Sequence, residues 1–344
     1  MNLLVSVAEG LGNVLQCLPL IWSLKKSGHN ISIWLQCNFP HVDRILELLT
    51  DCPVSLMGNP LPYPEKWYDG RVETIWSATN PGRLNAIEKL NIPIINNLFK
   101  QGFETKSYQL KGFNKIKYLK TEVQVALEIF RELEPDKKII YTLEEYFENK
   151  NIKQKIVDKC VVMMSKNEYH LFTLNNFFEK VQLILIHNGY NFNSKSLWQR
   201  KSYDHFPEVI NELQQIGKIQ IGSIGHAKEY IKGTKDFTEV SIYCLIALIL
   251  KSRLFVSTDT GTYHLAAALG VPGITIFTFT NLDKNYDSNF HYNIMTFQST
   301  ISCCPCQSTN YRDKCTEFKC KNIQYEVISN MISEKLKKLP VMEM

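Results

Sequence analysis

No apolar run in this sequence reaches the roughly 20 residues that a membrane-spanning helix needs. The longest, around Val240–Leu250, suits a buried helix instead. The opening residues, MNLLVSVAEG, hold no basic segment, and Glu9 interrupts them early; this is not the pattern of a secretory leader. Neither sign of charge dominates: 39 Lys and Arg face 34 Asp and Glu, a formal net charge of +5. The basic residues are spread along the chain, without the patch or stripe of a nucleic-acid binder, so no nucleic-acid partner is expected. Short-period repeats and low-complexity tracts are missing too. These absences lead us to expect a globular, cytoplasmic chain. Its mild positive charge is compatible with an anionic ligand and with peripheral contact at the inner membrane surface.

The 344 residues, 44% of them hydrophobic, are enough for one large domain or two of ordinary size. Residues Leu3–Val7 read as a strand that runs into a glycine turn at 10–12. From Asn13 the apolar residues Val14, Leu15, Leu18, Ile21 and Leu24 fall at helical spacing, and Ile31–Leu35 reads as the next strand. Strand, turn, helix and strand in that order make a βαβ unit, the grammar of a parallel sheet. A helix over Phe39–Leu49 and a strand over Val54–Met57 follow. Residues 60–120 are rich in Pro, Gly and aromatics and read as long loops, before a helix over Glu122–Leu133 and charged connecting helices over 136–160. The second half repeats the alternation. Strands are expected at Val181–Ile186, Lys218–Ile221, Leu254–Ser257 and Ile274–Phe277, with helices at Phe206–Ile216, Ser241–Leu250 and Thr260–Leu269. The boundary between the halves is expected within 150–180. The ending is an amphipathic helix with Ile323, Val327, Ile328, Met331, Ile332 and Leu336 on one face.

One stretch, STDTGTYHLAAALGVPGITIF (Ser257–Phe277), carries chemistry. A strand ends at Ser257, and a helix begins near Thr260. Thr258, Asp259 and Thr260 all suit an N-cap, but three in a row exceed what one cap requires. A helix start presents unpaired amides and partial positive charge, a setting for phosphate. Gly261 lets a ligand approach the backbone. Asp259 would repel a phosphate but would accept hydrogen bonds from sugar hydroxyls. Amides for phosphate and a carboxylate for sugar together suggest a nucleotide-sugar; a well-capped helix without a ligand is the plain alternative.

The segment STDTGTYHLAAALGVP resembles the donor-site motif of the family 9 glycosyltransferases, the ADP-heptose:lipopolysaccharide heptosyltransferases and their relatives. Asp259, Thr260, Gly261, His264, Leu265, Gly270 and Pro272 match its pattern. The start, GLGNVLQCLPLIWSLKK, resembles the family's opening Gly-x-Gly-Asp and Pro-containing helix through Gly10 and Gly12. The Cys-Pro-Cys cluster and final helix, CCPCQSTNYRDKCTEFKCKNIQYEVISNMI, resemble its C-terminus. In HNGYNFNSKSLWQRKSYDHFPEVI, Lys201 and Tyr203 fall at a Lys-x-aromatic position.

The resemblance implies an α/β GT-B fold, two Rossmann-like domains facing a central cleft. In this chain they would be residues 1–165 on the acceptor side and 166–322 on the nucleotide-sugar donor side, with the helix in 323–344 crossing back to the first domain. It implies an inverting transfer of a sugar, heptose in the namesake enzymes, from a nucleotide-diphosphate donor such as ADP-heptose to a glycan or lipid-linked glycan of lipopolysaccharide type, with no cofactor required for catalysis. Carried over residue by residue, Gly10, Gly12, Lys201, Thr260, Gly261 and His264 would bind donor, and Asp259 would take part in catalysis. His264 is equally readable as a packing histidine. The departure is Asn13, where the family commonly has the aspartate assigned as general base; an amide cannot take that proton. Glu9 and Asp69 are candidate replacements, and a silent nucleotide-sugar-binding protein is the alternative.

Ten cysteines are many for a cytoplasmic chain. Cys17, Cys37, Cys52, Cys160 and Cys244 are scattered in apolar contexts and read as core. Cys303, Cys304, Cys306, Cys315 and Cys320 crowd together. Cys303, Cys306, Cys315 and Cys320 could supply thiolates to a structural Zn or Fe, which would make a metal-bearing interaction module a third reading. Thiols that simply pack a loop are the simpler account, and nothing suggests a catalytic metal.

Overall fold

The computed structural model describes residues 1–8, 10–36, 41–56, 58–74, 90–96, 108–112, 115–118, 120–173, 182–189, 198–216, 219–307 and 315–340. Two parallel sheets organise them. The first contains β1 (Asn2–Ala8), β2 (Asn30–Gln36), β3 (Val54–Leu56) and β4 (Gly70–Glu73) in the order β3-β2-β1-β4. The second contains β7 (Gln182–His187), β8 (Ile219–Gly225), β9 (Lys235–Thr238), β10 (Leu254–Thr258), β11 (Gly273–Phe277) and β12 (Ile294–Gln298), in the order β12-β11-β10-β7-β8-β9. All pairings in both sheets are parallel. A separate two-stranded sheet joins β5 (Tyr108–Gly112) to β6 (Lys115–Tyr118). The central strands are near-continuous apolar runs because both faces of a parallel sheet are covered; β1, β7, β10 and β11 are buried over almost their whole length.

The chain divides into two compact units. One is Met1–Leu110 with Lys117–Ile152 and Asp283–His291; the other is Lys111–Ile116 with Lys153–Leu282 and Tyr292–Met344. The division falls after Ile152, earlier than the expected 165. The reason is local: Lys153 Nζ donates to Gly270 O at 2.9 Å and Lys251 Nζ to Gln154 Oε1 at 3.0 Å, which ties helix Ile152–Met163 to the second unit.

The final helix, Tyr325–Lys338, was expected to cross back to the first domain. It lies in the second unit and buries Ile328, Ile332 and Leu336 with Val209, Ile210 and Leu213 of helix Phe206–Gln214. Arg253 Nη2 donates to Leu336 O at 2.9 Å and to Leu339 O at 3.3 Å, answering the open carbonyls at its end. The segment that returns to the first unit is Asp283–His291. There Lys284 Nζ stands 2.8 Å from Glu122 Oε1, and the Phe290 ring packs 6.5 Å from that of Trp22.

Most expected elements are present within a residue or two. The helix from Asn13 is two helices, Leu11–Leu15 and Leu18–Lys26, because Pro19 stands in the first turn of the second and cannot continue the amide ladder of the first. Strand β4 lies where loops were expected. Its buried Arg71 and Glu73, 2.6 Å apart, hide a strand behind charged residue types. Strands β9 and β12 and helix Lys166–Thr173 also went unread. No helix among the described residues is long and apolar enough to cross a membrane.

Ile332 is fully buried in the core of the second unit. Ile332→Ala is expected to cost about 2–5 kcal/mol, through lost burial and the cavity left behind, read as a lower denaturant midpoint for that unit.

Candidate functional site

Read from β9 to β12, the second sheet has the Rossmann order 3-2-1-4-5-6, and the chain changes direction across the sheet between β7 and β10. Ligands of open α/β sheets sit outside the carboxyl ends of the strands at such a switch point. The pairing of Ser257 with His187 brings those ends side by side. Residues after three strands meet there: the turn leaving β10, Asn188 and Gly189 after β7, and the turn leaving β8.

The turn from β10 leads into helix Gly261–Ala268. Its N-cap, Thr260, is extended (φ −138°, ψ 172°) and makes no capping bond with its side chain. The Thr260 hydroxyl is used elsewhere, 3.2 Å from His187 Nδ1 and 2.9 Å from Thr262 Oγ1. The positive end of the helix dipole lies at this turn, and the Thr260 side chain does not cap it. Of the three candidate cap residues, Thr260 takes the N-cap position but does not use its side chain there.

Asp259 is 2% exposed. Lys201 Nζ stands 3.5 Å from its Oδ2, and His264 Nε2 is 4.0 Å from its Oδ1. The first helical turn brings His264 back over Asp259, so the spacing of the motif becomes a contact. Lys201 also lies over the Trp198 ring, 4.9 Å from its centroid. Asn188, just past β7, holds the lysine-bearing segment in place: its Oδ1 accepts from Tyr203 N at 2.7 Å and its Nδ2 donates to Tyr203 O at 2.9 Å. Tyr203 itself is core and donates to Ile323 O at 3.0 Å. At this distance the Lys201 charge offsets that of Asp259.

His187 and Glu229 escaped the sequence reading. His187 Nδ1 is 2.6 Å from Thr262 Oγ1, and His187 Nε2 is 3.1 Å from Glu229 Oε2. Glu229 comes from the turn after β8, where its Oε2 also accepts from His226 N at 2.8 Å. The available signal was a histidine closing a buried strand, QLILIH, at a position that becomes meaningful only once strand order is known.

In the first unit, Gly10 caps helix Leu11–Leu15 with open space where a Cβ would stand. Gly12 and Asn13 lie within that helix, at the carboxyl end of β1. Glu9 lies outside the described residues. Asp69 is excluded as a replacement base at Asn13: its Oδ2 accepts from Asn2 N at 2.7 Å, which puts it at the amino end of β1. Glu122 does reach this helix, but it is occupied by Gln16 Nε2 at 2.7 Å and by Lys284.

The cysteine cluster is also corrected. Cys304, Cys306 and Cys320 pack around Phe279, whereas Cys303 is exposed and Cys315 half-buried. Cys304 Sγ donates to Thr278 O at 2.9 Å. Its hydrogen bond with Cys320, then burial, push the Cys304 thiol up; that bond and the Arg200 charge hold Cys320 low. The Arg200 guanidinium covers the Phe318 ring at 4.9 Å. Among the described residues no group of three or more His, Cys, Asp or Glu side chains is placed to hold a metal. The four cysteines expected as ligands therefore do not form a ligand set, and the thiols pack the floor beneath the Lys201 segment.

A family model described as glycosyltransferase family 9 (heptosyltransferase) matches residues 99–316. That span includes Lys201 and Asp259–His264 but not Gly10–Asn13. Among solved structures, a family 9 glycosyltransferase from Veillonella parvula superposes with a TM-score of 0.66 at 13% identity, over 98% of this chain and 97% of its own. The E. coli ADP-heptose lipopolysaccharide heptosyltransferase II gives 0.64 at 14%, over 98% and 99%. The E. coli heptosyltransferase WaaC, solved with ADP, gives 0.58 at 14%, over 98% and 99%. A search of curated proteins returns no match. The fold is thus the expected α/β GT-B class with two Rossmann-like sheets.

The cluster geometry makes a simple prediction for the reduced native protein. Of the described cysteines, Cys303 should react first with a thiol reagent, and Cys304, Cys306 and Cys320 should react only on unfolding; mass mapping of the labelled sites checks this.

Proposed function

Because the chain belongs to glycosyltransferase family 9, we propose that it transfers a sugar with inversion from a nucleotide-diphosphate donor of the ADP-heptose kind to a hydroxyl of a glycan or lipopolysaccharide-type acceptor. The observation that carries this reading is the Lys201–Asp259 pair beside the helix start at Gly261, set at the switch point of the second sheet. WaaC, solved with ADP, supports the nucleotide part of the assignment.

In this reading the diphosphate sits on the first amides of helix Gly261–Ala268. Lys201 turns from Asp259 toward the phosphate oxygens and offsets the charge that grows there as the sugar–phosphate bond breaks. Asp259, relieved of its partner, accepts a sugar hydroxyl. His264 steadies the carboxylate from the other side. The acceptor oxygen attacks the anomeric carbon from the face opposite the departing diphosphate and gives up its proton. Asn13 cannot receive that proton, so it passes to another group. No metal cofactor is assigned to the transfer. A lipid-linked acceptor would bring the protein to the inner membrane surface.

Asn13 also motivates a second reading, a protein that binds the nucleotide-sugar without turnover. Incubation with a panel of nucleotide-sugars and candidate acceptors separates the two: transfer or slow donor hydrolysis supports the enzyme, and tight binding alone supports the silent protein. Asn13→Asp supplies the missing carboxylate and is expected to raise the transfer rate; an unchanged rate removes position 13 from the chemistry. Asp259→Ala is expected to lower turnover by about 10²-fold or more with the fold intact by circular dichroism. Lys201→Ala should weaken ADP binding by roughly 10-fold or more, the loss of about one charge-assisted hydrogen bond. Unaltered affinity would remove Lys201 from the site.

A further inference from the structure

The turn that carries Lys201 contains a buried charge that the transfer itself does not use. Arg200 stands one residue before Lys201 in the turn Trp198–Lys201 and is 2% exposed. Its guanidinium lies against two rings, 4.9 Å from the centroid of Phe318 and 5.9 Å from that of Phe279. Nη2 donates to Cys315 O at 3.4 Å, while Nε and Nη1 have no hydrogen-bond partner among the described residues. A guanidinium removed from water is costly unless it is paired. Buried Arg71, by contrast, stands 2.6 Å from Glu73. Arg200 is instead held by aromatic faces and one carbonyl.

The nearer ring is also held unfavourably. Phe318 has φ 48° and ψ 31°, the left-handed region, which a bulky side chain seldom enters. Two costly local features therefore meet in one contact, the Phe318 ring against the Arg200 guanidinium. Backbone strain of this kind persists where the surrounding structure over-determines it, and it gathers at functional sites. The contact bears on Lys201 through the main chain. Thr278, the first residue after β11, donates its hydroxyl to Arg200 O. Asp259 N donates to Ile276 O at 3.2 Å, so the exits of β10 and β11 lie side by side. The backbone of Arg200 thus hangs on the exit of β11, its side chain is held by Phe279 and Phe318, and the next residue sends its Nζ to Asp259 at the exit of β10.

We propose that Arg200 is a positioning residue: its contact with Phe318 fixes the root of Lys201, so that the lysine charge meets a nucleoside diphosphate at the carboxyl end of β10. The inference rests on the reading of Lys201 as a diphosphate ligand. Arg200 itself touches no substrate and acts only through Lys201. A lysine side chain is long and flexible; with its root held, less freedom is lost when it engages the phosphate oxygens.

The experiment is a double-mutant cycle read by calorimetric titration of the full chain with ADP. Arg200→Met keeps an apolar stem and removes the charge; it should lower ADP affinity by about threefold or more. Phe318→Gly suits the left-handed backbone and removes the ring, and it should lower affinity in the same direction. The deciding readout is the Lys201→Ala background, where neither change should lower affinity further. A merely structural role would weaken binding by the same factor in both backgrounds. Unchanged affinity in Arg200→Met, or a loss that is the same with and without Lys201, overturns the positioning role and leaves Lys201 standing as a ligand. If Arg200→Met does not fold, as judged by circular dichroism, Phe318→Gly carries the same cycle with the same two outcomes. An ADP affinity unaltered by Lys201→Ala, or no ADP binding to the unmutated protein, removes the diphosphate reading and the positioning role together.

Discussion

The parallel pairing of β7 with β10 is the constraint on which the rest of the site depends. It places His187 beside Ser257, and with them the exits of both strands. β10 leads straight into helix Gly261–Ala268 on one side, while β7 leads to its other neighbour, β8. Strand order alone sets this switch point, where open α/β sheets hold their ligands. The residues with chemistry then come from segments far apart in the chain: Lys201 follows β7, Glu229 follows β8, and Asp259 follows β10.

The polar groups at this corner are mutually satisfied in a way that single residues would not be. A buried carboxylate is costly without a partner. Asp259 has Lys201 and His264 near its two oxygens, and Glu229 has the His187 ring and a backbone amide. These pairs offset the charge of two buried carboxylates beside the helix start. Beneath them, Cys304, Cys306 and Cys320 fill the space around Phe279. The cysteines that looked like a metal site act as small apolar residues with weak donors.

Some of this was legible in the sequence, for reasons that can be named. The strand and helix grammar of both halves was visible because buried parallel strands are short apolar runs and the helices keep their period. Helix Glu122–Leu133 was legible to the residue because Thr121 and Gln124 form a capping box at its start. Strand β4 was not, since its buried Arg71–Glu73 pair mimics a loop in composition. The destination of the final helix was not legible either. An amphipathic face states that something must cover it, not what, and here helix Phe206–Gln214 does so.

The linear order of residues determined the local chemistry: Asp259, Thr260 and Gly261 at a strand-to-helix turn, His264 one turn further on, and asparagine rather than a carboxylate at position 13. These are properties of neighbours along the chain, where spacing alone sets geometry. The tertiary structure decided what meets across the chain. It paired Lys201 with Asp259, drew His187 and Glu229 in behind the helix start, moved Asp69 to the wrong end of β1 and turned Cys303 outward. Such meetings depend on strand order and sheet register, which arise from the packing of the whole domain and have no counterpart in any short stretch of sequence.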